Sequence, residues 1–311
     1  MNDGQGSPPP SESLGGSRVT VTPHVNGAAV EVAGDPSLSF VVQWVPRRDL
    51  DPRGAVPVPG RPNTQDFVGL RDIVVGGHVT PGFWVWDNRE HQYWVGHDGS
   101  FLPRHAPVKD HDVRPQTAEA WLSYESEGVV SRQTWSVRSD GGVPAIDTAI
   151  EVVSHRAETL QGYCQLIANY HPESGAASFI SSEGEVRAAP DYAVLLNGED
   201  GGARLGAIDA AWLRDPAVER GMLALPVVIS GRLWGGWHHV LLADPRAVWG
   251  FVTWKSETFP FRAIDYLIGP PGLSLQTGER IRAAIRHAFL PSPPSADCLR
   301  ALWRSFIEEL E

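Results

Sequence analysis

The stretch Arg280-Ile-Arg-Ala-Ala-Ile-Arg-His-Ala-Phe289 alternates in character: Ile281, Ala283, Ile285 and Phe289 share one parity, while Arg280, Arg282 and Arg286 share the other. Side chains of a strand point alternately to opposite faces, so this is the pattern of a half-buried β-strand. Arg132–Arg138 repeats it, with Gln133, Trp135 and Val137 opposite Arg132, Thr134, Ser136 and Arg138. Shorter apolar or alternating runs read as further strands. They are Arg18–Thr22, Ala28–Val32, Leu38–Val45, Glu119–Glu125, Ala145–Val153, Leu160–Ala168, Tyr192–Leu196, Ala203–Ile208, Trp237–Leu242 and Trp249–Trp254. Gly, Pro, Asp and Asn separate them, and many short strands broken by turn residues predict a β-sandwich or barrel.

The tail breaks the pattern. Leu299, Leu302, Trp303, Phe306, Ile307 and Leu310 follow helical spacing, with Ser295 placed as N-cap after the prolines of Pro291–Pro294. This predicts a helix over 296–310 on the outside or edge of the sheet. A second, shorter helix is predicted over Ala210–Gly221. Residues 1–17 are rich in Gly, Ser and Pro and read as a disordered lead, leaving 18–311 as one domain.

A chain of 311 residues with 42% hydrophobic and 20% charged residues has the makings of a large packed core. The formal net charge of −11, with no cluster of Lys and Arg, argues against a nucleic-acid partner. No apolar run is long enough to span a membrane, and the N-terminus lacks the basic start and apolar middle of a signal peptide. Cys164 and Cys298 cannot build a disulfide framework. A cytoplasmic location and no cofactor are the expectations.

Four segments carry candidate chemistry. Gly76–Asp112 holds His78, His91, His97, His105 and His111 among Trp84, Trp86, Asp87, Tyr93 and several carboxylates, in a stretch of poor periodicity that reads as a long binding loop. Its spacings match no zinc pattern, so no metal is expected, although His105 and His111 with Asp110 and Asp112 are conceivable ligands. Ile167–Gly175 places Asn169 and His171 where an apolar strand ends, and a histidine there suits proton transfer near neutrality. Trp234-Gly-Gly-Trp-His-His239 offers an aromatic platform or plain core packing, with His238 and His239 on opposite faces. Trp254-Lys-Ser-Glu-Thr-Phe-Pro260 carries Glu257 just beyond an apolar strand, with Asp265 and Tyr266 following.

The run Glu257-Thr-Phe-Pro260, then Leu273-Ser-Leu-Gln-Thr-Gly278-Glu279 leading into Arg280–Phe289, resembles the aldose 1-epimerase (galactose mutarotase-like) superfamily. Asn169-Tyr170-His171 resembles that family's strand-end histidine segment. The likeness implies an all-β supersandwich of two antiparallel sheets. It also implies Glu257 as general base and His171 as general acid in anomer interconversion of a sugar or sugar conjugate, the expected partner being a small molecule, a sugar or glycoside. Trp84, Trp86 or Trp237 would stack on the sugar, and Asp87, His105, Asn169 and Asp265 would contact it. The alternatives are a lyase or hydrolase on the same scaffold, with His97 or Tyr93 abstracting a proton, and a sugar-binding protein without catalysis. The sequence departs from the family in the residue after Glu-Thr, where Phe259 and its neighbour replace glutamine, and in lacking the early segment with arginine and asparagine.

Overall fold

The computed structural model describes residues 13–14, 17–24, 27–45, 67–80, 84–87, 108–114, 119–126, 128–140, 143–157, 159–161, 164–170, 175–198, 218–255, 262–269 and 274–311. The strands of the first half are β1 (Ser13–Leu14), β2 (Ser17–His24), β3 (Gly27–Ala33), β4 (Leu38–Val45), β5 (Phe67–Val75), β6 (His78–Val79), β7 (Trp84–Asp87), β8 (Val108–Arg114), β9 (Glu119–Ser126), β10 (Val129–Asp140) and β11 (Val143–Ser154). The second half contains β12 (Leu160–Gln161), β13 (Cys164–Tyr170), β14 (Ser178–Ser181), β15 (Val186–Ala188), β16 (Ala193–Asn197), β17 (Glu219–Arg232) and β18 (His238–Ala243). It closes with β19 (Val248–Lys255), β20 (Arg262–Ile268), β21 (Ser274–Leu275), β22 (Arg280–Leu290) and the helix α1 (Ala296–Leu310).

The pairings form one continuous ladder folded into two layers. One layer runs β2-β3-β4-β5-β7-β13-β20-β19-β16, and the other runs β18-β22-β11-β10-β9-β8. β17 belongs to both. Glu219–Leu223 pairs with β16, whereas Val227–Arg232 pairs with β18. Pro226 lies between the two halves, and with no N–H to give a ladder it suits the point where the strand leaves one sheet for the other. The β16–β17 pair is parallel, the one departure from the antiparallel expectation among the described pairings. A parallel pair needs a long connection, and 21 residues join these strands (198–218).

Both layers feed one core. Val30, Phe40, Leu70, Phe251, Ile264 and Tyr266 from the first layer pack with Trp135, Ile146, Ile150, Ile285 and Phe289 from the second. The chain is therefore an all-β, two-sheet sandwich. A smaller cluster lies outside the second layer, where Val240, Leu242 and Ala288 meet Leu299 and Phe306 of α1. The helix covers 296–310 as its spacing predicts, and the Ser295 hydroxyl accepts the Cys298 N–H at 3.2 Å. Ser295→Ala is expected to cost about 1 kcal/mol, measured as a lower urea midpoint with an unchanged m-value.

One ion cluster ties α1 to the sheet. Arg286 on β22 gives Nε to Asp147 Oδ1 at 2.7 Å and Nη2 to Asp147 Oδ2 at 2.9 Å. The same guanidinium reaches Glu309 of α1 at 3.1 and 2.6 Å, and stands 5.1 Å from the Phe306 ring centre. Burial works against its charge, but the two carboxylates outweigh burial and hold it above the ordinary arginine value.

Several sequence expectations are corrected. Ser13–Leu14 and Ser17 of the lead are strand, with Leu14 paired to Ser17 and Ser13 to Arg18. Gly76–Asp112 is not irregular throughout, since β6, β7 and the start of β8 fall within it. Leu160–Ala168 divides into β12, which pairs with β21 in a separate small ladder, and β13. Within Ala210–Gly221, Glu219–Gly221 opens strand β17 rather than closing a helix, and 210–217 lie outside the described residues. Its pairing with β16 overrides local helical spacing. Ala203–Ile208 also lies outside the described residues.

Candidate functional site

Register places the resembling segments side by side. Tyr170, the last residue of β13, pairs with Arg262, the first of β20, and Arg262 pairs with Lys255, the last of β19. These three strand ends form one row at one edge of the sheet. His171 follows Tyr170 in the chain, and Glu257 follows Lys255 by two residues; both lie outside the described residues. At this edge Asp191 pairs with Arg262 and, at 3.6 Å, with Lys255, holding the ends of β19 and β20 to the turn before β16.

The next row inward reads Trp84, Asn169, Ala263 and Trp254 across β7, β13, β20 and β19. Two rows further in come Trp86, Ile167, Asp265 and Val252. Strand alternation puts positions 254, 263 and 265 on one face, while Ile264 and Tyr266 point into the sandwich core. The register positions of Trp84, Trp86 and Asn169 belong to the same two rows as Trp254 and Asp265.

Asp265 is 3% exposed, and its Oδ1 accepts the Trp254 indole N–H at 2.9 Å. Among the described residues it has no cationic partner. Burial pushes its carboxyl up to about 8, and the indole bond offsets only part of that. The group is therefore a carboxylic acid at neutral pH, able to donate as well as accept a hydrogen bond, and it exchanges its proton within the range used by general acids and bases.

A second buried polar group lies inside the sandwich. Ser230 Oγ is 2.6 Å from His239 Nδ1, and His239 Nε2 is 3.2 Å from His287 Nδ1. The two rings stack with centres 5.4 Å apart. Burial lowers both histidines, His239 with a further push from His287, and takes His287 to about 3. His238 is half-buried while His239 is fully buried, the opposite-face arrangement expected from alternation.

These groups set an expected pH profile of stability. Asp265 rises from about 3.9 unfolded to about 8 folded, so the fold binds the extra proton, and its contribution declines as pH rises through that window. His239 and His287 are lowered, so the unfolded chain binds the extra protons and stability is lost as pH falls below about 6.5. Two histidines outweigh one aspartate on the acid side. Urea midpoints across pH should peak near pH 6.5, and Asp265→Asn should flatten the alkaline decline and steepen the acid limb, where the aspartate no longer opposes the two histidines.

The other expected site residues divide as follows. Asp87 ends β7 opposite Leu166, one row beyond Trp86. Trp237 is partly buried against the core and against Gly76, where a Cβ would fall 2.9 Å from its Nε1. Gly76 follows the end of β5, seven residues from the Gly69 that pairs with Trp86, so Trp237 is not brought to the Asp265 rows. Tyr93, His97 and His105 lie outside the described residues. His111 is flanked on β8 by Asp110 and Asp112, and strand alternation separates its position from theirs. No group of His, Cys, Asp or Glu among the described residues could hold a metal. Trp254 is the addition that sequence reasoning did not single out. Its signal was an indole donor across a tight strand pair from a buried acid.

No protein-family model matches the sequence, and no curated protein matches it. Among solved structures, the chain is similar to a candidate aldose 1-epimerase of Escherichia coli K12. The two are 9% identical with a TM-score of 0.44, over 88% of this chain and 99% of the other. Slr1438 of Synechocystis sp. PCC 6803 is 8% identical with a TM-score of 0.45, over 85% and 96% of the two chains. The GH36 α-galactosidase AgaB of Geobacillus stearothermophilus is 11% identical with a TM-score of 0.47, over 88% of this chain and 41% of that one. Sugar-processing proteins thus stand among the structures it is similar to. At such identities the chemistry has to be argued from this chain's own residues. No helix among the described residues is long and apolar enough to cross a membrane.

Proposed function

We propose that this chain is a carbohydrate-active enzyme, an aldose epimerase-like isomerase acting on a sugar or sugar conjugate with a free anomeric hydroxyl. The supporting observation is the row Tyr170–Arg262–Lys255, which makes neighbours of the strand ends that lead into His171 and Glu257. In this reading Glu257 takes the proton from the anomeric hydroxyl while His171 protonates the ring oxygen. The ring opens, the aldehyde turns about its bond to the next carbon, and closure in reverse gives the other anomer. Acid and base act together, so neither full charge develops on the sugar.

Asp265 has a distinct part in this scheme. Protonated and held by Trp254, it offers a hydrogen-bond donor behind the site without adding a second negative charge near the base. Asn169, Trp84 and Trp86 supply substrate contacts from neighbouring rows. The test is anomer interconversion of purified aldoses, followed by polarimetry or exchange NMR, in the wild type and in Glu257→Gln and His171→Ala. Full activity in both variants overturns the assignment. Sugar binding without turnover of any aldose replaces it with a binding protein.

A further inference from the structure

Three polar side chains meet in a line inside the sandwich. Ser230 of β17, His239 of β18 and His287 of β22 are each at most 1% exposed. Ser230 Oγ stands 2.6 Å from His239 Nδ1, and His239 Nε2 stands 3.2 Å from His287 Nδ1. At the end of the line, His287 Nε2 is buried without a hydrogen-bond partner. Phe289 stacks on His239, and Ile146 of β11 is the register partner of His287. From the other layer Tyr266 of β20 meets His287 edge-on, with ring centres 6.2 Å apart. Tyr266 is thus the titratable group facing the pair, and burial holds its hydroxyl well above the usual tyrosine value. Among the described residues no carboxylate or cation acts on either histidine.

Counting donors fixes the sense in which the line runs. A neutral imidazole carries one N–H and one lone pair. If Ser230 donated to His239, His239 would donate to His287, and His287 Nε2 would carry a buried N–H with no acceptor. That sense makes two hydrogen bonds. In the opposite sense His287 Nδ1 donates to His239 Nε2, and His239 Nδ1 donates to Ser230 Oγ. The Ser230 hydroxyl is then free to donate to the His239 carbonyl at 3.4 Å, a third bond. Every donor now has an acceptor, and a lone pair on His287 Nε2 is all that is left over. In a buried site, where each unmade bond is costly, the second sense wins.

We infer that both imidazoles hold their proton on Nδ1 and that the open lone pair of His287 takes the first proton on acidification, making the line an acid trigger inside the sandwich. A proton on His287 Nε2 leaves all three bonds in place but puts a positive charge in the core with no carboxylate to meet it. A second proton, on His239 Nε2, enters only by breaking the bond between the two rings. Burial resists the first step and takes His287 down to about 3, whereas the unfolded chain accepts the same proton near the ordinary value of about 6.5. Stability tied to this ring is therefore complete above that value and drains away as pH falls through the window between them. The trigger does not depend on the proposed activity.

The test uses the full chain with isotope-labelled histidine. Side-chain nitrogen spectra at neutral pH should show His239 and His287 in the Nδ1–H form, each assigned by its loss in His239→Gln or His287→Asn. As the wild type is acidified, the His287 Nε2 signal should move before any signal of His239. Asparagine keeps an N–H donor where Nδ1 stood and has nothing that titrates. The fall in urea midpoint on acidification should therefore be shallower in His287→Asn than in the wild type, whatever its stability at neutral pH. His155→Asn, at an exposed position, should follow the wild-type slope. If His287→Asn does not fold, the wild-type spectra decide alone. An Nε2–H form at either ring overturns the inferred sense, and a wild-type slope in folded His287→Asn overturns the trigger.

Discussion

Glu257→Gln and His171→Ala are each expected to slow anomer interconversion by at least about a hundredfold, the usual scale for losing a positioned acid or base. Melting temperatures should change little if both residues serve the reaction and not the packing, which circular dichroism melts of the two variants check. The double variant should be scarcely slower than the worse single one, since base and acid serve one concerted proton transfer and act as a unit. Wild-type activity should follow a bell-shaped pH curve, and each variant should lose one limb. Independent, multiplying effects in the double variant would argue against a shared step.

Arg286→Ala carries the largest expected effect on stability. Its guanidinium side chain is 8% exposed and bridges Asp147 and Glu309, which are themselves 20% and 28% exposed. Removing it takes away the guanidinium that both carboxylates share, and breaking a buried ion pair in this way costs about 3–5 kcal/mol. For a chain of this size that corresponds to a melting point lower by on the order of 10 °C. Arg286→Lys should recover only part of the loss, because one ammonium cannot fork to both carboxylates. If α1 docks chiefly through Leu299 and Phe306, the alanine variant will melt within about 1 °C of wild type, and the clamp assignment fails.

Most strands were legible because half-buried pairing imposes period two, and Leu38–Val45 and Arg280–Phe289 show it with few interruptions. Ser295 and the tail helix were legible for a similar reason: a cap and a 3.6-residue stripe are local features. Strand β17 was not, because Gly221, Pro226 and Gly231 punctuate it and its first turn overlaps helical spacing. Its pairing with β16 and β18 comes from residues distant in the chain. Asp265 was recognised only as an acid following a candidate base and as an expected substrate contact. That it is protonated at neutral pH depends on how completely the fold buries it, which no local pattern carries.

The stretch Arg280–Phe289 shows the same division within one strand. Its alternation was enough to determine a strand with Ile281, Ala283 and Ile285 facing the core, since a slip of one residue would turn all of them outward. The arginine face was another matter. Arg280 and Arg282 lie at the surface beside Glu151, while Arg286 is buried because α1 folds back across that end of the strand. Period two determines which residues share a face; only the packing of the layers decides whether that face meets water or another part of the chain.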